Sequence, residues 1–191
     1  MNLFLLLLGW LLYFYLHSFL AATRVKQLLI QHSSISNARV YRIGYNMIAL
    51  TGIVGLLYLQ FIIPSALLFT QVSIGFYVAL LLIGTGLVIM LFAIKNYDWK
   101  SFIGITDEQS YCLVIAGMNK YVRHPLYSGT MLFVTGYFLW QPYVKNLLLL
   151  IMMMIYLVIG IWYEEKKLVK LYGEAYKNYQ RTVKKMIPFI W

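Results

Sequence analysis

The chain alternates between long apolar runs and shorter polar segments. A helix needs about 20 apolar residues to cross the roughly 30 Å hydrocarbon core of a bilayer. Five runs approach or exceed that length, at residues 3–22, 43–63, 72–94, 126–140 and 144–163. The fourth run is short, and by itself it fits a re-entrant segment as well as a crossing helix. The pattern predicts an all-α, multi-pass membrane helical bundle with about five transmembrane helices.

The segment after the last apolar run, residues 164–183, has an amphipathic pattern. Apolar or aromatic side chains recur there at intervals of four, four, three and four, namely Leu168, Tyr172, Tyr176, Tyr179 and Val183. This spacing places them on one face of an α-helix, and most of the basic residues fall on other faces. We therefore expect a C-terminal amphipathic helix that rests on the membrane surface with its basic side toward anionic headgroups.

The composition agrees with a membrane protein and excludes a soluble globular domain. Hydrophobic residues make up 62% of the 191 positions, charged residues only 12%, and the mean hydropathy is +0.74. Soluble proteins carry about 25% charged residues, so this chain lacks the polar coat that water requires. Cys112 is the single cysteine, so we expect neither an internal disulfide nor a metal site. We expect one membrane domain over residues 1–191, with three N-terminal spans in residues 1–94.

The net charge of +10 would suggest nucleic acid in a soluble protein, but here it predicts topology. With five spans, fifteen of the sixteen basic residues fall on one side of the membrane, and Lys145 alone falls on the other. Lys and Arg concentrate in cytoplasmic loops. We therefore expect the N-terminus outside, the C-terminus in the cytoplasm and a location in the cell (inner) membrane. Without the fourth span, the basic tail would lie outside, so the charge pattern favours a true crossing.

All six acidic residues lie on the side predicted to be cytoplasmic, so candidates for acid–base chemistry concentrate there. Glu164 and Glu165 lie where the fifth span ends, a costly place for adjacent carboxylates without partners. Residues 121–129 combine Arg123, which can bind a carboxylate through two N–H groups, with His124 and Tyr127. Together these residues predict an interfacial pocket for an anionic group beside a cationic or polarisable one. A simple basic membrane anchor with an interfacial tyrosine is the alternative interpretation.

Two motifs in this part of the chain carry a family resemblance. The first is Gly-Met-Asn-Lys-Tyr-Val-Arg-His-Pro-Leu-Tyr at residues 117–127. The second begins about 37 residues later with Glu-Glu-Lys-Lys-Leu at 164–168 and continues with Tyr-Gly-Glu-Ala-Tyr-Lys-Asn-Tyr at 172–179. The order and spacing of these motifs resemble the isoprenylcysteine carboxyl methyltransferase family, which is related to the membrane phospholipid methyltransferases. The resemblance covers residues 111–188.

The resemblance implies a methyltransferase that depends on S-adenosylmethionine, with residues 95–191 as its core and the cofactor pocket facing the cytosol. The residues that it implies for the cofactor site are Tyr111, Cys112, Leu113, Val114, Asn119, His124, Pro125, Leu126, Tyr127 and Glu165. It implies catalytic roles for Glu164, on the substrate side, and for Arg123, which with Glu165 supports the pocket. The implied partners are the lipid bilayer and a lipophilic or small methyl acceptor, that is, a thiol, a carboxylate or an amine.

Two departures from the family pattern bear on the substrate. Asn119 stands where the family usually has an aromatic residue that packs on the cofactor. Gly160 stands four residues before Glu164. Prenylcysteine-type enzymes resemble one another in having an arginine at this position, which can bind the substrate carboxylate. A thiol acceptor is therefore favoured over a prenylcysteine, and residues 97–105 resemble bacterial members that methylate small thiols. The alternatives are a non-catalytic NnrU-like membrane protein or membrane-complex partner and, as a third possibility, a transporter.

Overall fold

The computed structural model describes residues 2–32, 38–95 and 113–188, of which the side chains of Thr23 and His32 are not described. These ranges contain seven α-helices and one short 3-10 helix, Gly117–Lys120. The α-helices are α1 (Asn2–Ala21), α2 (Thr23–His32), α3 (Ala38–Ile62), α4 (Ser73–Ile94), α5 (Pro125–Trp140), α6 (Val144–Tyr172) and α7 (Glu174–Thr182). The predicted all-α fold class is confirmed.

Four of the described helices, α1, α3, α4 and α6, are long and apolar enough to cross a membrane. They correspond to four of the five predicted apolar runs. The bounds agree closely except at the start of α3 and the end of α6, where the helix extends into polar sequence. The predicted fourth span is helix α5, which has 16 residues and is about 24 Å long at 1.5 Å per residue. The multi-pass membrane bundle is confirmed, whereas the count of five spans and their orientation stay predictions.

The chain forms two compact units. The described part of the first unit consists of α1, α2 and α3, where α1 and α3 pack as an antiparallel pair. Trp10 Nε1 donates a buried hydrogen bond to Gln60 Oε1 at 3.0 Å, and the Tyr41 hydroxyl donates to the Leu20 carbonyl at 2.6 Å. These bonds pair polar groups of two apolar helices with each other, as a bilayer environment requires.

The second unit contains α4 to α7, and its centre is the close antiparallel packing of α4 on α5. Gly86, Gly129 and Gly136 lie in this interface. A Cβ atom at Gly86 would lie 2.6 Å from the Gly129 carbonyl oxygen and 2.7 Å from the Phe133 nitrogen. Only glycine leaves room for such backbone contact, which is a common device in membrane helix pairs.

Helix α5 also reaches the far end of α4, although it is short. The segment before α4 is joined to the segment after α5 by hydrogen bonds from Leu68 N to the Pro142 carbonyl, 2.8 Å, and from Val144 N to the Ala66 carbonyl, 3.0 Å. Helix α5 and the residues that follow it therefore run beside the whole of a span-length helix. This arrangement favours the predicted crossing of the fourth apolar run.

The C-terminal tail differs from the single amphipathic helix predicted over residues 164–183. Helix α6 continues without a break through Glu164 and Glu165 to Tyr172, and α7 begins after Gly173. Gly173 has φ +57° and ψ −129°, a left-handed backbone conformation that ends a helix and favours glycine. The expected apolar stripe is retained across the break, because Tyr176 and Tyr179 are buried in the second unit.

Candidate active site at one end of the second unit

The site lies where α5 begins and where the apolar part of α6 gives way to its polar part. Arg123 and His124 precede α5, which starts at Pro125. Proline suits this first helical position, where its missing N–H costs no hydrogen bond. Tyr127 follows in the first turn of α5, and Glu164 and Glu165 lie on α6. The structure therefore brings together five of the residues predicted from the two sequence motifs.

Arg123 is buried and takes its hydrogen-bond partners from within the chain. Its Nε and Nη2 donate to Glu165 Oε1 at 2.8 and 2.6 Å. Its Nη1 donates to the Gln180 carbonyl at 3.2 Å and also to the Val183 carbonyl. Only 6% of the side chain is exposed. Arg123 therefore joins α6, the C-terminal end of α7 and the start of α5, and this geometry supports the pocket-supporting role more than direct contact with a substrate.

Glu164 is the accessible carboxylate of the site. Its side chain is 36% exposed, against 12% for that of Glu165. The Tyr127 hydroxyl donates to Glu164 Oε2 at 2.8 Å. One carboxylate is thus held by the buried arginine, and its neighbour is oriented by a tyrosine and open to a ligand.

His124 lies between the two carboxylates. Its Nε2 is 3.3 Å from Glu165 Oε1, and its Nδ1 is 3.7 Å from Glu164 Oε2. The ring also stacks on Tyr127, with centroids 5.5 Å apart and planes 11° apart. Because a carboxylate paired with arginine accepts hydrogen bonds and does not donate them, we expect Nε2 to carry the proton directed at Glu165.

The segment after α7 runs parallel to residues 122–124 and pairs with them. Arg123 N donates to the Lys184 carbonyl at 2.8 Å, and His124 N donates to the Lys185 carbonyl at 2.9 Å. The buried Ser128 hydroxyl donates to the Met186 carbonyl at 2.7 Å. The backbone on which Arg123 and His124 lie is therefore fixed by residues about 60 positions later in the chain.

Asn119 uses its side chain to close the loop before α5. Its Nδ2 donates to the Val114 carbonyl at 2.9 Å. Tyr179 on α7 donates its hydroxyl to the Asn119 carbonyl at 2.6 Å, and burial raises the pKa of Tyr179 to about 12. Asn119, which departs from the family's aromatic residue, thus organises the backbone of this loop.

The remaining predicted cofactor residues lie around this centre or outside the described residues. Pro125 is buried and Leu126 partly buried in the first turn of α5, while Leu113 and Val114 lead into the 3-10 helix. Tyr111 and Cys112 lie outside the described residues. Among the residues that the structure describes, no three His, Cys, Asp or Glu side chains are grouped to hold a metal ion.

The sequence analysis assigned no role at the site to three further residues, Ser128, Tyr179 and Gln180. Gln180 Nε2 donates to Glu165 Oε2 at 3.2 Å. Tyr179 belongs to the amphipathic stripe, so its burial was predictable, but its bond to Asn119 was not. Tyr176, on the same helix as Tyr179, is also buried. Its burial and the nearby Glu165 carboxylate raise its pKa, so its phenol stays neutral beside the site.

A helical membrane protein with a carboxylate site at one end of its bundle is the class that this fold and site define. The model of the phospholipid methyltransferase family matches residues 74–175, more than half of the chain. The chain belongs to this family. The match begins at the start of α4, whereas the motif resemblance began at residue 111, so α4 is part of the family region.

Curated relatives match a shorter part of the chain. A methanethiol S-methyltransferase of Crocosphaera subtropica is 44% identical over 73 residues, which are 37% of this chain and 27% of that protein. A methanethiol S-methyltransferase of Pseudomonas deceptionensis is 37% identical over 73 residues, which are 37% of this chain and 26% of that protein. A protein-S-isoprenylcysteine O-methyltransferase of Schizosaccharomyces pombe is 32% identical over 94 residues, 49% of this chain and 40% of that protein. The chain thus covers less than half of the length of each of these relatives. No solved structure matches.

Proposed function

We propose that this protein is an integral membrane methyltransferase that uses S-adenosylmethionine to methylate a small or lipophilic thiol. The observation that carries the proposal is the paired arrangement of Glu164 and Glu165. Glu165 is held by Arg123, and Glu164 is oriented by Tyr127 and partly exposed. The names of the methanethiol S-methyltransferases support a thiol acceptor, and the name of the isoprenylcysteine O-methyltransferase supports methyl transfer in general.

The described residues fit S-adenosylmethionine, which carries a sulfonium, an ammonium and a carboxylate. Glu164 offers an accessible anion to the cationic groups. Helix α5 begins at Pro125, and a helix N-terminus suits a carboxylate. We propose that His124, Pro125, Leu126 and Tyr127 hold the cofactor. The further proposed contacts are Leu113, Val114, Asn119, Glu165 and, outside the described residues, Tyr111 and Cys112.

When bound, the cofactor supplies an electrophilic methyl group on its sulfonium. The chain has to hold the acceptor sulfur in line with that group and away from water, because orientation provides much of the rate. As the new sulfur–carbon bond formed, the bond between the methyl group and the sulfonium sulfur would break, the donor would leave as a neutral thioether, and the thiol would lose its proton. Glu164 is the carboxylate that we assign to accept this proton, while the Tyr127 hydroxyl holds its Oε2 in place. Solvent then takes the proton from Glu164, which is partly exposed.

The charges near Glu164 favour a thiol over a prenylcysteine carboxylate. Gly160 lies one helical turn before Glu164, and a Cβ atom there would meet nothing within 4 Å. Prenylcysteine-type enzymes resemble one another in having an arginine at this position. This chain has a glycine there, with open space around it. Arg123 does not take the place of that arginine, because its donors are engaged by Glu165 and two backbone carbonyls.

We also propose that the site faces the cytoplasm from the cell (inner) membrane. The support is the asymmetry of the basic residues and the position of the site. Arg123, Lys166 and Lys170 lie at the same end of the second unit as the carboxylates, and Lys145 lies at the opposite end, where α6 begins. Lipid contacts the exposed apolar side chains of the spanning helices.

The experiment is methyl transfer from labelled S-adenosylmethionine by the protein in lipid nanodiscs. Methanethiol, a long-chain alkyl thiol and an N-acetyl prenylcysteine are the acceptors. We expect transfer to the thiols in preference to the prenylcysteine. Glu164→Gln should lower kcat by about 100-fold, the scale of general-base catalysis. Glu174→Gln is the matched control, because Glu174 is exposed on α7 and pairs with Lys177 outside the site.

Two outcomes would reject the proposal. One is the absence of transfer to every acceptor together with the absence of cofactor binding by calorimetry. The other is cofactor binding that is unchanged in Glu164→Ala and His124→Ala without any transfer by the parent protein, which would favour the non-catalytic alternative. Equal activity of Glu164→Gln and Glu174→Gln would remove the role assigned to Glu164 alone.

A further inference from the structure

Gln180 contacts the site twice from the part of α7 that lies beyond the match to the family model. It lies on α7, beyond residues 74–175. Its carbonyl accepts a hydrogen bond from Arg123 Nη1 at 3.2 Å, and its side-chain Nε2 donates to Glu165 Oε2 at 3.2 Å. One residue therefore reaches both members of the buried ion pair.

The two oxygens of Glu165 have unequal surroundings. Oε1 receives the Nε and Nη2 groups of Arg123 and faces Nε2 of His124. Oε2 receives the amide of Gln180. The last torsion of a glutamate is broad, so Arg123 on one oxygen leaves the plane of the carboxylate free to turn. A donor on the second oxygen fixes that plane.

The plane of this carboxylate matters for His124. With Oε1 directed at Nε2, the imidazole donates its proton to Glu165 and presents Nδ1 to Glu164, 3.7 Å away. A hydrogen bond at one ring nitrogen determines the protonation of the other. The orientation of the His124 ring is thereby coupled to the side chain of Gln180, although Gln180 makes no hydrogen bond to His124.

We propose that Gln180 is a positioning residue that acts through Glu165 to fix the tautomer and orientation of His124. This inference rests on the proposed function, because His124 and Glu164 are assigned there to the methyl-transfer site. Gln180 acts without touching the acceptor or the cofactor, and its loss should affect kcat more than the cofactor KM.

The test uses Gln180→Met, which keeps the length of the side chain and removes the donor. Asn178→Met is the matched control, because Asn178 is an exposed amide on the same helix that pairs with Arg181. The first readout is the imidazole ¹⁵N spectrum of histidine-labelled protein in detergent without cofactor. The chain has three histidines, and His124→Gln assigns the relevant signals. We expect a protonated Nε2 at His124 in the parent protein, changed His124 signals in Gln180→Met and unchanged signals in Asn178→Met.

The second readout is the rate of methyl transfer. We expect kcat to fall about tenfold in Gln180→Met, the effect of losing one hydrogen bond to a charged group, with the cofactor KM within about twofold of the parent value. If Gln180→Met does not fold, Gln180→Asn keeps an amide on a shorter side chain and should shift the His124 signals in the same direction.

Two results would overturn the inference. One is an unprotonated Nε2 at His124 in the parent protein, which needs no variant to observe. The other is a folded Gln180→Met protein with parent-like His124 signals and kcat. Because the spectrum is recorded without cofactor or acceptor, it judges Gln180 even if the parent protein transfers no methyl group, which would be a failure of the proposed function instead.

Discussion

Arg123 illustrates a buried charge that is satisfied entirely by the chain. Its partners are one oxygen of Glu165 and two carbonyls at the end of α7. Removing one member of a buried ion pair leaves the other uncompensated, whereas replacing the whole pair by apolar residues is often tolerated. The pair should therefore behave as a unit in stability measurements.

We expect Arg123→Met to lower the free energy of unfolding by about 3–5 kcal/mol, the usual cost of breaking a buried pair. The double variant Arg123→Met/Glu165→Met should recover most of this loss while remaining inactive. Denaturation in detergent provides the measurement, with Arg181→Met as a control at an exposed arginine of α7. A single variant as stable as the parent protein would contradict the buried pairing.

Tyr179 links α7 to the loop before α5 through its hydroxyl bond to the Asn119 carbonyl. We expect Tyr179→Phe to cost about 0.5–1.5 kcal/mol at neutral pH, the worth of one hydrogen bond. Tyr121→Phe, at a 62% exposed tyrosine, is the control. Thermal melting of the three proteins is the measurement, and equal midpoints would argue against the bond.

The same residue predicts a pH dependence. Burial raises the pKa of Tyr179 to about 12 in the folded protein, whereas an unfolded tyrosine titrates near pH 10. A raised pKa means that the contribution to stability is complete below about pH 10 and is lost as pH rises toward about 12. Tyr179→Phe should flatten this alkaline loss. An identical alkaline decline in both proteins would mean that Tyr179 does not contribute to it.

At the scale of elements, the contact between α4 and α5 depends on glycine. A Cβ atom at Gly86 meets backbone atoms of α5 at 2.6 and 2.7 Å, which no side-chain movement can relieve. We expect Gly86→Ala to destabilise the protein by about 1–3 kcal/mol, as overpacked interiors do. Gly84→Ala is the control on the same helix, because a Cβ there meets nothing within 4 Å.

The melting temperature in detergent or nanodiscs distinguishes the two glycine variants. Gly84→Ala should leave it unchanged or slightly raised, since alanine favours a helix over glycine. Activity should follow stability in Gly86→Ala, because α5 carries Tyr127 into the site. If both variants melt alike, α4 and α5 do not approach each other as closely as described.

At the scale of the whole molecule, the predicted topology can be tested because Cys112 is the single cysteine. In a Cys112→Ser background, we would introduce Lys120→Cys, Lys145→Cys and Lys170→Cys separately. A membrane-impermeant thiol reagent should label the Lys145→Cys protein in intact cells and the other two only after permeabilisation. Labelling of Lys120→Cys and Lys145→Cys from the same side would mean that α5 does not cross the membrane.

The sequence predicted the helical class and most of the spanning helices. An apolar run that is long enough to cross a bilayer has to form a helix there, so the length of the run is sufficient for the prediction. It also predicted the residues that meet at the site, since Arg123, His124, Tyr127 and Glu164 stand in motifs whose order is specific. It did not predict that α6 continues to Tyr172 and ends at Gly173. The spacing of apolar residues is the same before and after Gly173, so the sequence pattern does not show the break.

The partners within the site were also beyond sequence reasoning. The resemblance implied that Arg123 and Glu165 support the pocket together, but it did not give the hydrogen bonds that join them. The roles of Ser128 and Gln180 depend on contacts between residues 58 and 15 positions apart, which no local pattern encodes. The glycine contact of α4 with α5 is of the same kind, because Gly86 and Gly129 are distant in sequence and become neighbours only in the folded protein.

The pairing of residues 184–186 with the start of α5 has a consequence for biosynthesis. A polypeptide leaves the ribosome from its N-terminus, so these residues emerge after every described helix. The backbone beneath Arg123, His124 and Ser128 therefore stays incomplete while the helices are being inserted. A nascent chain is therefore expected to lack a formed site until all the described helices have left the ribosome, so the site would be completed only after these helices have been synthesised.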